Sequence, residues 1–412
     1  MIPSKRIPEI DIAKTIGISV VILQHAGYPM NNVFTFLTVF ALPLFFILSG
    51  AFLTPPHPVS AASRRPDASF PAVFRKKTKR LLLPYLYFSL IDLAVLFLVD
   101  LIRTGSPHPV RLTADIIRFV TMHGISVLWF LSALWMGELI FSACLMVKSK
   151  TVRLLLTVLL LLLLIGTALF RPALFAWYEQ SRSADVLAGS AGTSLALGSA
   201  VKTEFLYDLS LTFLRLPVCI FFIALGYTGN RIFDRCFLSV NSETGSSSAR
   251  ISWERLPEAL KGFLVLVVSL VFYCGSCFIA VYNSGGNIPL IYYGKNLALY
   301  LLAACLGTAG TLFLSRALYY LFHAVFSGRP VKALMFPGEH SLIIMLTHMD
   351  LHLITIAKIP VTLLLVLLPI PNTFYWILVV LFTLLVEIPV ILLIRRFFPF
   401  LLGLSAKKEA RP

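Results

Sequence analysis

Runs of about twenty apolar residues recur along this chain, and their length limits the folds that it can adopt. The 412 residues are 58% hydrophobic and only 13% charged, which is far from the balance of a soluble domain. A helix of roughly 20 residues crosses a bilayer, and about ten such runs can be counted. They are Glu9–Tyr28, Val33–Leu53, Leu81–Leu101, Ser126–Val147, Arg153–Phe170, Leu211–Asn230, Lys261–Val281, Lys295–Leu314, Ser341–Leu368 and Phe374–Phe397. The runs predict an all-α polytopic membrane helix bundle of about ten transmembrane helices.

The ninth run is longer than the others and is interrupted by Lys358 and Pro360. Non-helical backbone is tolerated at membrane depth where protein or a water-filled cavity surrounds it. Within 341–372 the sequence therefore leaves open a single span, a re-entrant piece or an eleventh span.

Positive charges are distributed unevenly between the connecting segments. If the N-terminus lies in the cytoplasm, 25 of the 35 lysines and arginines fall on the cytoplasmic side and 6 on the opposite side. This asymmetry follows the positive-inside rule and predicts that both termini are cytoplasmic. It also accounts for the net charge of +16 without a nucleic-acid partner. We expect one integral membrane domain over 1–400, in the bilayer of the cell membrane, and a basic cytoplasmic tail over 401–412.

The first apolar run carries three ionisable side chains, Asp11, Lys14 and His25. An ionised group at a bilayer centre costs roughly 2.5–3.5 kcal/mol on insertion scales, so such residues rarely lack a partner or a function. Lys14 and His25 are eleven residues apart, which is three helical turns with about 20° left over. Asp11 lies one turn before Lys14. One helix face is therefore predicted to present all three side chains to an interior site or pathway.

A cluster of positive charge precedes the third run. Five of the six residues in 75–80 are lysine or arginine. The cluster can anchor the topology, or it can bind a phosphorylated cytosolic ligand, because both cations suit phosphate groups. On the second interpretation the binding residues are Arg75, Lys76, Lys79 and Arg80.

Two histidines in the ninth run, His348 and His352, are four residues apart, which places them on one face of a continuous helix. Structural hydrogen bonding, a second wall of a cavity and metal binding are the three alternatives. Because Met349 rather than a glutamate follows the first histidine, zinc chemistry of the metalloprotease kind is disfavoured. We predict no metal.

Two more residues are candidates for a cavity wall, each with a structural alternative. Ser49 ends the second run, where Pro43 predicts a kink and Gly50 permits close packing. Trp129 lies where an aromatic belt at the membrane interface is the ordinary interpretation.

Five segments in order resemble successive blocks of the membrane acyltransferase-3 family. They are Asp11-Ile-Ala-Lys14 with His25 eleven residues after the lysine, Pro43–Gly50, Lys79–Tyr85, Leu128–Leu131 and His340–His348. Each block alone is degenerate, but their order and spacing match over nearly the whole chain. Two departures stand out. Lys14 replaces an arginine found in many members, and Ala41 stands where sugar O-acetylases often have histidine, which bears on the identity of the acceptor.

The resemblance implies a membrane O-acyltransferase. It would move an acyl group, expected to be acetyl, from cytosolic acyl-CoA to a hydroxyl of a sugar or cell-surface glycan. It also implies that the family's basic residue and histidine correspond to Lys14 and His25. His25 is then the general base, since imidazole, with an unperturbed pKa near 6.5, can take a proton from a hydroxyl and return it to a leaving group. Asp11 and Lys14 would orient the site or balance its charge.

Direct transfer and an acyl-histidine intermediate both remain open on this hypothesis. The main alternative function is a polytopic transporter or a lipid-linked glycan flippase, in which the buried charges form a pathway; an inactive membrane sensor is a third. The oligomeric state is left undetermined.

Overall fold

The computed structural model describes residues 7–53, 69–105, 109–190, 194–233, 256–326, 329–368, 371 and 374–404. Every regular element in these ranges is a helix, and one isolated antiparallel bridge joins Asn287 and Tyr292. The helices are α1 (Pro8–His25), α2 (Asn32–Ala51), α3 (Phe70–Lys77), α4 (Leu83–Thr104), α5 (Pro109–Val120), α6 (Trp129–Met146), α7 (Lys150–Ser190), α8 (Ser194–Leu214), α9 (Leu216–Phe233), α10 (Glu258–Tyr282), α11 (Leu297–Phe326), α12 (Arg329–Glu339), α13 (Ser341–Thr347), α14 (Leu353–Leu367) and α15 (Tyr375–Phe397). A π-helical turn (Thr78–Leu82) joins α3 to α4, and a 3-10 turn (Pro399–Leu402) follows α15.

The helices have the length and composition of a membrane protein. Among the described residues, 8 helical stretches are long and apolar enough to cross a bilayer. Two further apolar helices do not qualify: α1 carries Glu9, Asp11 and Lys14, and α14 has only 15 residues. Many large apolar side chains of α7 are exposed, as lipid contact requires. The prediction of an all-α polytopic bundle is confirmed, whereas about ten spans and cytoplasmic termini stay predictions. Most of the tail that we expected over 401–412 lies outside the described residues.

The ninth apolar run is not one helix. Helix α13 ends at Thr347, α14 begins at Leu353, and His352 between them has a positive φ of 55°. A left-handed residue interrupts a right-handed helix, so the expectation that His348 and His352 share a helix face is wrong. His348 is fully buried, whereas His352 is exposed.

Helices α1 and α2 occupy the centre of the bundle, where α1 packs on α2, α11 and α12, and α2 packs on α9 and α11. The approach of α2 to α9 depends on two glycines. A Cβ atom added to Gly50 would lie 2.0 Å from the carbonyl oxygen of Ile223, and one added to Gly226 would lie 1.9 Å from that of Ile47. Any side chain at these positions would push the two backbones apart.

Helix α12 lies directly against the charged turn of α1. The Thr15 hydroxyl donates to the carbonyl oxygen of Leu334 at 2.7 Å and accepts a hydrogen bond from the backbone N–H of Gly338 at 2.8 Å. A Cβ atom on Gly338 would be 1.8 Å from the carbonyl oxygen of Asp11. These contacts hold the turn that carries Asp11 and Lys14 in one position.

Candidate functional site

One end of the bundle contains a cationic cavity of about 310 Å³, which we call the basic cavity. It lies between α1, α2, α6, α13 and the segment that joins α3 to α4. Its polar wall consists of Lys14, Ser49, Lys77, Arg80, Glu138 and Ser341. Because three cations face one carboxylate, the wall has the composition of an anion site.

Two ion pairs organise the basic cavity. The Lys14 ammonium lies 3.3 Å from Asp11 Oδ1 within α1. The Lys77 ammonium lies 2.6 Å from Oε2 of the buried Glu138, whose other oxygen accepts a hydrogen bond from the Ser49 hydroxyl. Helices α1, α2, α3 and α6 thereby all meet at this wall. Among the described residues Arg80 makes no ion pair, so its charge is available to a ligand.

A second cavity, of about 200 Å³, lies farther along α1; we call it the histidine cavity. Its polar side chains are Gln24, His25, Thr38 and Asn287, the indole of Trp129 also lines it, and its lining residues include no Asp, Glu, Lys or Arg. The buried Nε2 of Gln24 has no hydrogen-bond partner in the part of the chain that the structure describes. An uncharged ligand with hydroxyl groups would satisfy such a wall, because buried polar atoms ordinarily find a partner.

The ring of His25, in the wall of the histidine cavity, lies next to that of His348, which was predicted as a cavity-wall residue but lines neither cavity. Their ring centroids are 5.3 Å apart and the rings are tilted by 55°. His348 Nδ1 lies 2.6 Å from the carbonyl oxygen of Ile344, so in the neutral ring this nitrogen carries the proton and Nε2 is an acceptor. The buried Nε2 of His348 has no partner among the described residues. The exposed His25 therefore lies against the buried imidazole of His348, whose Nε2 is an acceptor without a hydrogen-bond partner among the described residues.

The two cavities adjoin each other. Phe130 of α6 and Met345 of α13 line both of them. Lys14 faces the basic cavity and His25 faces the histidine cavity from the same helix, about 16 Å apart along its axis. Lys14 and His25 thus lie on the two sides of a shared wall, and Asp11 lies beside the basic cavity through its ion pair with Lys14.

The remaining predicted site residues are divided between cavity and surface. All four cations are exposed, but Arg80 lines the basic cavity, whereas Arg75, Lys76 and Lys79 belong to neither wall. His352 is also exposed and lines neither cavity. In the described ranges no group of three or more His, Cys, Asp and Glu side chains is arranged to hold a metal ion.

Lys77 and Glu138 are charged cavity residues that the sequence analysis did not assign to the site. Lys77 is three positions before Arg80, so the two side chains share one helix face, and that spacing was an available signal. Glu138 is the only acidic residue of α6. An isolated carboxylate in an apolar helix indicates a partner, but its partner comes from another element and no local pattern names it.

A buried arginine supports the wall of the histidine cavity. Arg215, at the junction of α8 and α9, donates to the carbonyl oxygens of His123 at 3.2 Å and Pro289 at 3.3 Å. Its guanidinium also lies 5.1 Å from the centre of the Trp129 ring. His123 lies in the segment before α6, which begins at Trp129, and Pro289 lies in the α10–α11 loop, which contains Asn287. The Arg215 guanidinium therefore connects the two segments that supply Trp129 and Asn287 to the cavity wall.

Helix α15 holds α13 at both ends. The Thr347 hydroxyl donates to Glu387 Oε2 at 2.8 Å, and Arg395 donates to His340 Nε2 at 2.7 Å. These two contacts set the position of the short helix that carries Met345 and leads into His348.

The chain was compared with protein-family models, with curated proteins and with solved structures. The family model described as an acyltransferase domain, acyltransferase-3, matches residues 7–394. No curated protein and no solved structure matches the chain. The matched range contains all the residues that line the two cavities.

Proposed function

This chain belongs to the acyltransferase-3 family and is a multi-pass membrane acyltransferase, and from that premise we propose that it transfers an acetyl group from cytosolic acetyl-CoA to a hydroxyl of a sugar or cell-surface glycan in the cell membrane. One observation carries the proposal. A cationic cavity and a neutral cavity that contains His25 adjoin each other across Phe130 and Met345. A donor that is anionic at one end and reactive at the other fits this arrangement.

The basic cavity is assigned to the nucleotide end of the donor. The positive-inside distribution of lysine and arginine favours a cytoplasmic position for this end of the bundle. Arg80 and Lys77 offer charge-assisted hydrogen bonds to phosphate oxygens, and Lys14 adds a third cation deeper in the wall. The thin pantetheine arm would then extend past the shared wall and bring the thioester to His25.

His25 is assigned the role of general base. It takes the proton of the acceptor hydroxyl while that oxygen attacks the thioester carbonyl carbon. The carbon–sulfur bond then breaks, and the thiolate leaves with the proton returned by the imidazolium. Support for this role comes from His348, whose unused Nε2 is an acceptor that can orient the His25 ring. An acyl-His25 intermediate would use the same nitrogen, and trapping labelled acyl-enzyme in the absence of acceptor would distinguish it from direct transfer.

The proposal is tested with purified protein in proteoliposomes and acetyl-CoA labelled in the acetyl group. We expect transfer of label to a sugar acceptor only when acetyl-CoA is supplied on the side of the basic cavity. Folded protein that moves a glycolipid or a solute across the bilayer and neither transfers nor hydrolyses acetyl would overturn the proposal in favour of a transporter or flippase.

Charge reversal at Arg80 is expected to weaken donor binding. Arg80→Glu should raise the KM for acetyl-CoA by about tenfold or more, because a hydrogen bond to a charged group contributes roughly 1.5–3 kcal/mol. The turnover rate at saturating donor should change little, since Arg80 is remote from His25. Steady-state kinetics in detergent micelles measure both quantities.

Arg75→Glu is the matched control. It makes the same change of charge on the same basic segment, at an exposed arginine outside both cavities. An equal rise in KM for both variants would show that the segment acts only through its overall charge, and would remove Arg80 from the binding site.

A further inference from the structure

The wall between the two cavities is apolar and tightly packed. The Phe130 ring lies 5.0 Å from the Phe46 ring and 6.0 Å from the Phe45 ring, measured between centroids. Phe130 is 5% exposed and Met345 is 4% exposed, although each lines a cavity on both sides. The partition is therefore about one side chain thick and is held in place by aromatic contacts with α2.

The two halves of the partition differ in stiffness. Aromatic neighbours surround the Phe130 ring, including Trp129 at 6.1 Å edge to face, and an aromatic ring turns about only two side-chain bonds. Met345 has three rotatable bonds and a polarisable sulfur, so it adapts to the shape of what lies against it. A passage through the wall would thus open by movement of Met345, with Phe130 as its fixed edge.

The size of the histidine cavity limits what can pass through that wall. Its volume of about 200 Å³ must hold the acyl group together with the part of the acceptor that carries the hydroxyl. An acyl chain of several methylene groups would have to lie across the partition, against the Phe130 ring. Close-packed apolar walls reject extra methylene groups because there is no space for them.

We infer that Phe130 and Met345 form an apolar gate between donor and acceptor cavities, and that the Phe130 ring sets the longest acyl group that can reach His25. This inference rests on the proposed function and identifies the side chain that selects acyl groups by length. The enzyme is accordingly a short-chain acyltransferase, and the Phe130 side chain sets the maximum length of the acyl chain.

The test is the chain-length preference of Phe130→Ala. The ratio of kcat/KM for acetyl-CoA to that for butyryl-CoA should fall by about tenfold or more, because one methylene group in a tight pocket changes the rate by about 10–200-fold. Met345→Ala should change this ratio in the same direction and to a smaller extent.

Phe222→Ala is the matched control, because Phe222 is a fully buried phenylalanine that lines neither cavity. It should leave the chain-length ratio unchanged even if it lowers the melting temperature. If Phe130→Ala does not fold, Phe130→Leu and Met345→Ala supply the same ratio. An unchanged ratio in active gate variants overturns the gate and leaves the proposed function standing, whereas wild-type protein that acts on no acyl-CoA overturns the proposed function itself.

Discussion

Replacement of His25 by alanine is expected to lower acyl transfer by about 10²–10⁴-fold, the range that general acid–base catalysis contributes. Among the described residues, His25 is the only titratable side chain in the wall of the histidine cavity. His348 does not substitute for it, because its ring is fully buried and lines neither cavity. The turnover rate of the purified variant should fall, while its KM for acetyl-CoA stays within a factor of about three.

His352→Ala is the control for this experiment. His352 lies four residues after His348, is exposed and lines neither cavity, so its loss should leave the turnover rate nearly unchanged. Transfer at the wild-type rate by folded His25→Ala protein would exclude both the general-base role and the acyl-histidine intermediate. Loss of activity together with a large fall in melting temperature would instead assign His25 a structural role.

Replacement of Gly226 by alanine is expected to destabilise the protein strongly. The new methyl group would lie 1.9 Å from the carbonyl oxygen of Ile47, which no rearrangement of a flexible side chain can relieve. Overpacking of this kind costs about 1–3 kcal/mol and more where backbone must move. The melting temperature of the detergent-solubilised protein should fall by several degrees.

Gly229→Ala, one turn farther along α9, is the matched control. A methyl group there meets nothing within 4 Å, so the substitution should leave stability unchanged or raise it, since alanine is favoured over glycine in a helix by about 1 kcal/mol. If the melting temperature fell equally in both variants, the role of Gly226 in allowing α2 and α9 to approach closely would be contradicted.

The break at 348–352 is a clear failure of prediction from local pattern. The run from Ser341 to Leu368 is apolar enough for one helix, and the sequence signals within it, Lys358 and Pro360, both ended up inside α14. The chain turns earlier, where α15 fixes the end of α13 through Glu387 and Thr347. A contact with a helix about 40 residues later leaves no trace in local hydropathy.

The basic cluster at 75–80 is a second case in which local sequence pattern predicts only part of the structure. Charge density predicted an anion site near 75–80, but it does not tell which of the five cations line the cavity. Lys77 lines it through its ion pair with Glu138 of α6, and Arg80 lines it from the π-helical turn, although its side chain is exposed. Arg75, Lys76 and Lys79 line neither cavity.

By itself, the sequence determined that this chain is a membrane helix bundle and that α1 carries acid, base and imidazole on one side, because hydrophobic length and helical period are local properties. Its blocks also pointed to the acyltransferase-3 family. Only the tertiary structure decided that Lys14 and His25 face different cavities, that His348 backs His25, and that Phe130 and Met345 stand between the two. Those relations depend on how distant helices pack, and packing is set by side-chain shape and by glycine contacts such as those between α2 and α9.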